Sequence, residues 1–213
     1  MQTIRYELLD AADGKVALVT FDEAGSPVNT MCLQWQDDMA ALTQQVVKDK
    51  GALKGLILAS AKTTFFAGAD LKGVMRMTAG DAARVYAEIE RIKLCFRTLE
   101  TLGIPVVSCI NGSALGGGME VALIGHHRIA VDDARLQLGL PELTLGLIPG
   151  ATGITKFTRL LGLMGAQPYI MESKLFGPRE ALEIGVVHEL VATPDELRAR
   201  ALAWIAAHPQ AQH

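Results

Sequence analysis

Apolar residues along this chain switch between a period near two and a period near 3.6, and the switching outlines alternating strands and helices. Thr3–Leu9 (TIRYELL) and Val16–Phe21 (VALVTF), separated by AADGK, predict an antiparallel hairpin. Glu23–Asn29 reads as a loop whose end, at Asn29 or Thr30, is placed to cap the next helix. Cys32, Trp35, Met39, Leu42 and Val46 then recur at alternating three- and four-residue steps, which is one face of a helix. Leu53–Ser60 (LKGLILAS) predicts a strand whose centre, Leu56–Ala59, is buried on both faces. After the loop AKTTFFAGADLKG, Asp81 stands as the cap of a second long helix with the face Val85, Ile89, Ile92, Phe96 and Leu99. The strand Ile104–Ile110 leads into Asn111–Glu120 (NGSALGGGME), and Val121–Ile124 can continue a helix from Gly117. His127–Ala130 and Arg135–Leu138 predict strands around a turn at Asp132–Asp133. Beyond Pro149 the pattern is mainly helical: Gly153–Leu161, Gly165–Ser173 and Pro178–Gly185, then a last strand Val186–Val191 and a terminal helix Asp195–His208 opened by Pro194. Strands alternating with helices imply an α/β chain with crossover connections.

Composition narrows the class. Half of the 213 residues are hydrophobic, enough for one globular domain with a sizeable core, alone or with a helical appendage. A net charge of −3 leaves no basic surplus for neutralising phosphates and argues against a general nucleic-acid binder. Cys32, Cys95 and Cys109 are scattered without CxxC spacing, which predicts buried free thiols in a reducing compartment. The polar N-terminus is unlike a signal peptide, and no apolar run approaches the ~20 residues that span a bilayer. The expectation is a soluble, cytoplasmic protein.

Three loops carry candidate chemistry. In Asn111–Glu120, three consecutive glycines between a strand and a helix imply close approach of something to the backbone. Amides at a helix start attract an anion or a polarised oxygen, and Glu120 sits one turn along. Phe65–Lys72 (FFAGADLK) follows the carboxyl end of another strand, where α/β ligands collect. The small Ala67, Gly68 and Ala69 leave their amides accessible, so amides from two loops could grip one oxygen as it gains charge. Gly139–Gly150 (GLPELTLGLIPG) places Glu142 between Pro141 and an apolar stretch; desolvation there would raise its pKa toward a value suited to moving protons near neutrality. Each loop alone is equally compatible with an ordinary turn, and spacing alone does not bring Glu120 and Glu142 together.

Other chemistries lack their residues. Val121 stands where a dinucleotide fingerprint needs its third glycine, and no Gly-Lys-Ser/Thr forms a Walker loop. Adjacent His126 and His127 point apart on a strand without a partner at ligand spacing, so hydrogen-bonded histidines are expected rather than a metal. Val74, Met75 and Met77 could line an apolar cavity or fill core.

Taken together, FFAGADLK, NGSALGGGMEVAL (Asn111–Leu123) and LGLPELTLGLIPGATG (Leu138–Gly153) resemble the crotonase (enoyl-CoA hydratase/isomerase) superfamily, over nearly the whole chain to about Val191. The resemblance implies a crotonase-like α/β fold, with repeated β-β-α units around a twisted sheet followed by C-terminal helices. Residues 1–191 would form the core domain and 192–213 the start of a helical linker. It makes the amides of Ala69 and Gly117 an oxyanion hole for an acyl-CoA thioester carbonyl. Glu142 would handle the proton at the α-carbon and Glu120 would help activate water. Ala67, Gly68, Asp70, Leu71, Gly116, Pro141 and Gly150 would contact substrate. The implied activity is hydration of 2-enoyl-CoA in fatty-acid β-oxidation. Isomerisation, another crotonase chemistry, or a binding module with little turnover stand as alternatives. No metal or separate cofactor is implied, because CoA arrives as part of the substrate. GATG replaces the GAGG or GFGG of many relatives after Pro149, putting local loop shape in question. The ending WIAAHPQAQH and the pattern GHHRIAVDD look most like the N-terminal hydratase part of multifunctional fatty-acid oxidation α-subunits. There an NAD-dependent dehydrogenase part would follow. Apolar positions Leu160, Leu161, Leu163, Met164, Ile170 and Met171 exceed what one helical layer buries, so a homo-oligomer or docking of such a downstream part is expected.

Overall fold

The computed structural model describes residues 1–11 and 13–210. Ala12 of the expected hairpin turn and the last three residues of the 192–213 segment lie outside them. The expected hairpin is β1 (Ile4–Ala11) and β2 (Gly14–Phe21), paired antiparallel from Ile4 opposite Phe21 to Ala11 opposite Gly14. Next come α1 (Leu33–Asp49), β3 (Leu53–Ser60), the single turn α2 (Leu71–Val74) and α3 (Ala82–Glu100). They are followed by β4 (Val106–Ile110), β5 (Ala114–Leu115), α4 (Gly117–Ala122), β6 (His127–Val131) and β7 (Leu138–Gly139). The chain then runs through α5 (Gly153–Met171), α6 (Pro178–Glu183), β8 (Glu189–Val191) and α7 (Pro194–Ala207). One sheet has the order β1-β2-β3-β4-β6-β8, parallel from β2 onward, and β5 pairs with β7 in a small second sheet.

Strand alternation assigns the faces. Tyr6 donates its hydroxyl to Asp49 at the end of α1, and its neighbours across the ladder, Val19 and then Phe21, share that side. There Trp35 of α1 packs edge-on against Phe66 and Phe96, with centroids 5.2 and 6.3 Å away. Val16 and its β3 partner Gly55 point the other way, where a Cβ on Gly55 would lie 2.6 Å from Ile205 of α7. Helices therefore cover both faces, and the central Leu56, Ile57 and Leu58 are fully buried. Each such side chain contributes roughly 1.5–3 kcal/mol on burial. α7 lies against β3, β4 and β6 through Leu197, Ala201 and Ile205, so the segment expected to begin a linker packs on this sheet.

Helix starts depart from the sequence reading. Neither Asn29 nor Thr30 caps α1; Cys32 is its N-cap residue, without a side-chain bond. Asn29 is instead fully engaged between strands. Its Oδ1 accepts from Glu23 N, and its Nδ2 reaches Phe21 O, Ser60 Oγ and Phe65 O. Asp81 stands at the N-cap position of α3 as expected, but without a side-chain cap bond, and the helical stretch begins earlier. Thr78 opens it through a reciprocal capping box with Asp81, and a short 3-10 turn leads into α3. The expected strand Arg135–Leu138 shrinks to Leu138–Gly139, because Arg135 folds back onto Asp133. Gly153–Leu161 and the next helix join as α5 across a kink at Gly162, whose φ is 74°. Cys95 and Cys109 are buried free thiols, and burial pushes the Cys109 thiol up to about 12. Cys32 departs from that expectation by sitting half-buried in a cavity wall.

Candidate active site

The glycine loop and the FFAGADLK loop meet backbone to backbone, and that contact explains the glycines. A Cβ on Gly118 would lie 2.1 Å from the carbonyl oxygen of Phe66, so only hydrogen fits. Gly68, at φ 104°, turns its Cα toward the other loop: a Cβ there would be 2.7 Å from Leu115 O and 3.6 Å from Gly117 N. Gly116 has φ 55° and ψ −126°, and a side chain would run into Glu142 Oε1 at 2.8 Å. Met31 fastens the assembly. Its N–H donates to Gly68 O at 2.9 Å, and its sulfur fills the space where a Gly117 side chain would go.

The loops open on a cavity of about 290 Å³. Ala69, Gly117, Glu120, Glu142, Asp70 and Gly150 all line it. Of the other expected substrate contacts, Ala67 donates its amide to Asn29 O and Leu71 is 45% exposed on α2. Gly68, Gly116 and Pro141, like Ala67 and Leu71, are not among the residues that line the cavity. The remaining wall is largely apolar and includes Val85, Ile89 and Ile92 of α3. Val85 and Ile89 fit the core periodicity but are only partly buried, since a helix repeats alike against core and against an empty pocket. Met31 carried no signal beyond its place after the Asn29 loop. Val74 and Met77 reach the cavity, whereas Met75 is 86% exposed.

Gly117 is the first residue of α4, so its amide has no intrahelical acceptor. The two carboxylates occupy contrasting environments. Glu120 is 2% exposed, and its Oε1 accepts from Ala151 N at 2.9 Å and Gly153 N at 2.8 Å. Desolvation raises its pKa, while these amides at the start of α5 pull it back down. The GATG variation keeps both amides in place. Glu142 rides on a 3-10 turn, Pro141–Leu145. Burial, with a lesser contribution from the Glu120 charge, pushes its carboxyl up to about 7, and its Oε2 is buried without a hydrogen-bond partner among the described residues. A carboxyl of raised proton affinity and an amide-held carboxyl thus line one largely apolar space, with a helix-start amide beside them.

A sequence model of the enoyl-CoA hydratase/isomerase family matches residues 11–212. The chain belongs to that family. It is 36% identical over 188 residues to a fatty acid oxidation complex subunit alpha from Shewanella oneidensis, covering 87% of this chain. The chain spans about a quarter (26%) of that relative's length. Among solved structures, the enoyl-CoA hydratase of Bacillus anthracis superposes with TM-score 0.83 at 30% identity, covering 98% of this chain and 78% of that one. Pseudomonas aeruginosa DspI gives TM-score 0.83 at 27% identity, covering 97% and 80%. The fold is crotonase-like. As expected for the histidine pair, His126 Nδ1 accepts from Val106 N, its Nε2 faces Glu100 O, and His127 stacks between two rings. Among the described residues, no helix is long and apolar enough to cross a membrane.

Proposed function

We propose that this chain hydrates 2-enoyl-CoA thioesters. The observation that carries the reading is the contrast between Glu142 and Glu120 across one cavity. In the proposed step Glu120 takes a proton from water as the oxygen bonds to C3. The electrons move into the thioester, and the enolate oxygen is held by the amides of Ala69 and Gly117. Glu142, protonated for much of the time near neutrality, delivers its proton to C2. One proton is taken and one given, so the pair keeps its total charge. A single oxyanion donor is worth about two to three powers of ten in rate. Positioned acid–base groups add roughly two to four more. CoA enters with the substrate, and no metal or further cofactor takes part in the proposed step.

A second reading is movement of a 3-enoyl double bond into conjugation, for which Glu142 alone suffices. It draws support from Glu120 Oε1, already occupied by two amides. The likeness to fatty acid oxidation α-subunits, of which this chain spans about a quarter (26%), supports a role in β-oxidation beside further parts of such a complex. Loss of crotonyl-CoA absorbance with the purified chain tests hydration. Glu120→Gln and Glu142→Gln should each lower kcat at least about a hundredfold with acyl-CoA affinity nearly intact. Small, equal effects would point instead to a binding module.

A further inference from the structure

Away from the cavity, four rings stack at the corner where β6, β8 and α7 meet. His127 of β6 lies 5.1 Å from His188 and 4.6 Å from Trp204 of α7, with interplanar angles of 18° and 9°. His208 closes the stack on Trp204 at 4.4 Å. Beside it Arg128 is 5% exposed, and its guanidinium donates to two carbonyls, Val186 O and Gly125 O.

His188 is the unusual member. Its Nδ1 accepts from the backbone N–H of Arg128 at 3.0 Å, and its Nε2 faces Arg128 Nη2 at 3.3 Å. Both ring nitrogens therefore look at donors; the neutral ring offers its one lone pair to the Arg128 N–H, and an imidazolium has none to offer. We infer that this corner is an acid-labile latch: protonation of His188 and His127 loosens residues 186–207 from the sheet while the rest of the domain stays folded.

The charges around the rings set the direction. His188 faces the Arg128 guanidinium and His127, and no carboxylate is paired with it among the described residues. Burial opposes a charge on His127 most, with Arg128 and His208 adding to it, while Glu189 Oε2 at 3.5 Å favours that charge. Glu189 is shared with Arg200 of α7, which blunts its help. Burial, Arg128 and His127 together depress His188 to about 4, and His127 is likewise lowered. A histidine held neutral in the docked state gains its proton on release. Docking is therefore fully supported above the ordinary value of 6.5 and weakens as pH falls below it. His188 is nonetheless exposed to solvent along part of its ring, and water there screens both burial and the Arg128 charge, so the effect is much smaller than its shift implies.

Hydrogen exchange of the intact chain, corrected for intrinsic rates, tests the latch. Between about pH 7.5 and about pH 5, protection of 186–207 should fall roughly tenfold while that of 33–49 holds. His188→Gln, which accepts from Arg128 but cannot gain a proton, should abolish the fall, and His127→Phe, which keeps a ring in the stack, should reduce it. An equal loss along the whole chain, no loss, or an unchanged loss in His188→Gln would overturn the inference. If His188→Gln does not fold, the NMR titration of His188 in the unaltered protein decides. A midpoint well below the ordinary histidine value supports the latch, and one at or above it overturns it.

Discussion

Gly118→Ala tests how closely the two loops that carry the proposed oxyanion donors are pressed together. The new methyl would sit 2.1 Å from Phe66 O and 2.7 Å from its carbonyl carbon, both backbone atoms that cannot rotate aside. Ordinary carbon–oxygen contact needs more than 3 Å, so the loops must part by on the order of 1 Å. Ala69 lies three residues beyond Phe66, and Gly117 directly precedes the substituted position, so the separation passes straight to the two proposed donors. A misplacement of that size costs about a hundredfold in rate. Overpacking destabilises the fold by roughly 1–3 kcal/mol. In the crotonyl-CoA assay, kcat should fall at least about a hundredfold in protein that still melts cooperatively. Gly51→Ala, with nothing within 4 Å of its new methyl, is the matched control and should be neutral. A folded Gly118→Ala enzyme with full kcat would refute the argument that backbone contact aligns the amides.

The remaining predictions concern titration and the loop anchor. Hydration should decline as pH rises through about 7, where Glu142 loses the proton it donates, and Glu142→Gln should erase that limb from the pH–rate profile. The same raised pKa makes the Glu142 contribution to stability greatest below the ordinary carboxyl value of 4.5. Stability should decrease as pH climbs to about 7, where the folded carboxyl finally ionises, and denaturant titrations of Glu142→Gln should lack this component. Asn29→Leu strips four hydrogen-bonding partners of a residue that is 1% exposed. It should cost about 2–4 kcal/mol by thermal melting and lower kcat, because Phe65 O, in the loop that carries Ala69, would lose its tie to Asn29.

Much of the architecture was legible because it is written in local patterns. The periodicity of Trp35, Met39, Leu42 and Val46 marks a buried helix face without reference to anything distant, and the short apolar run of β2 marks a buried strand. The three loop motifs identified a family because each carries small residues where backbones touch. Local pattern does not say what a face is buried against, so Val85 and Ile89 read as core although they wall a cavity. Nor does it reveal partners distant in sequence. Asn29 resembled a helix cap until the strands on either side claimed its amide, and Glu120 met the amides at the start of α5 only when the chain closed. The displaced proton affinity of Glu142 belongs to the same class: a carboxyl's charge is set by the solvent and dipoles that tertiary packing removes or supplies, and these come from segments distant in the chain.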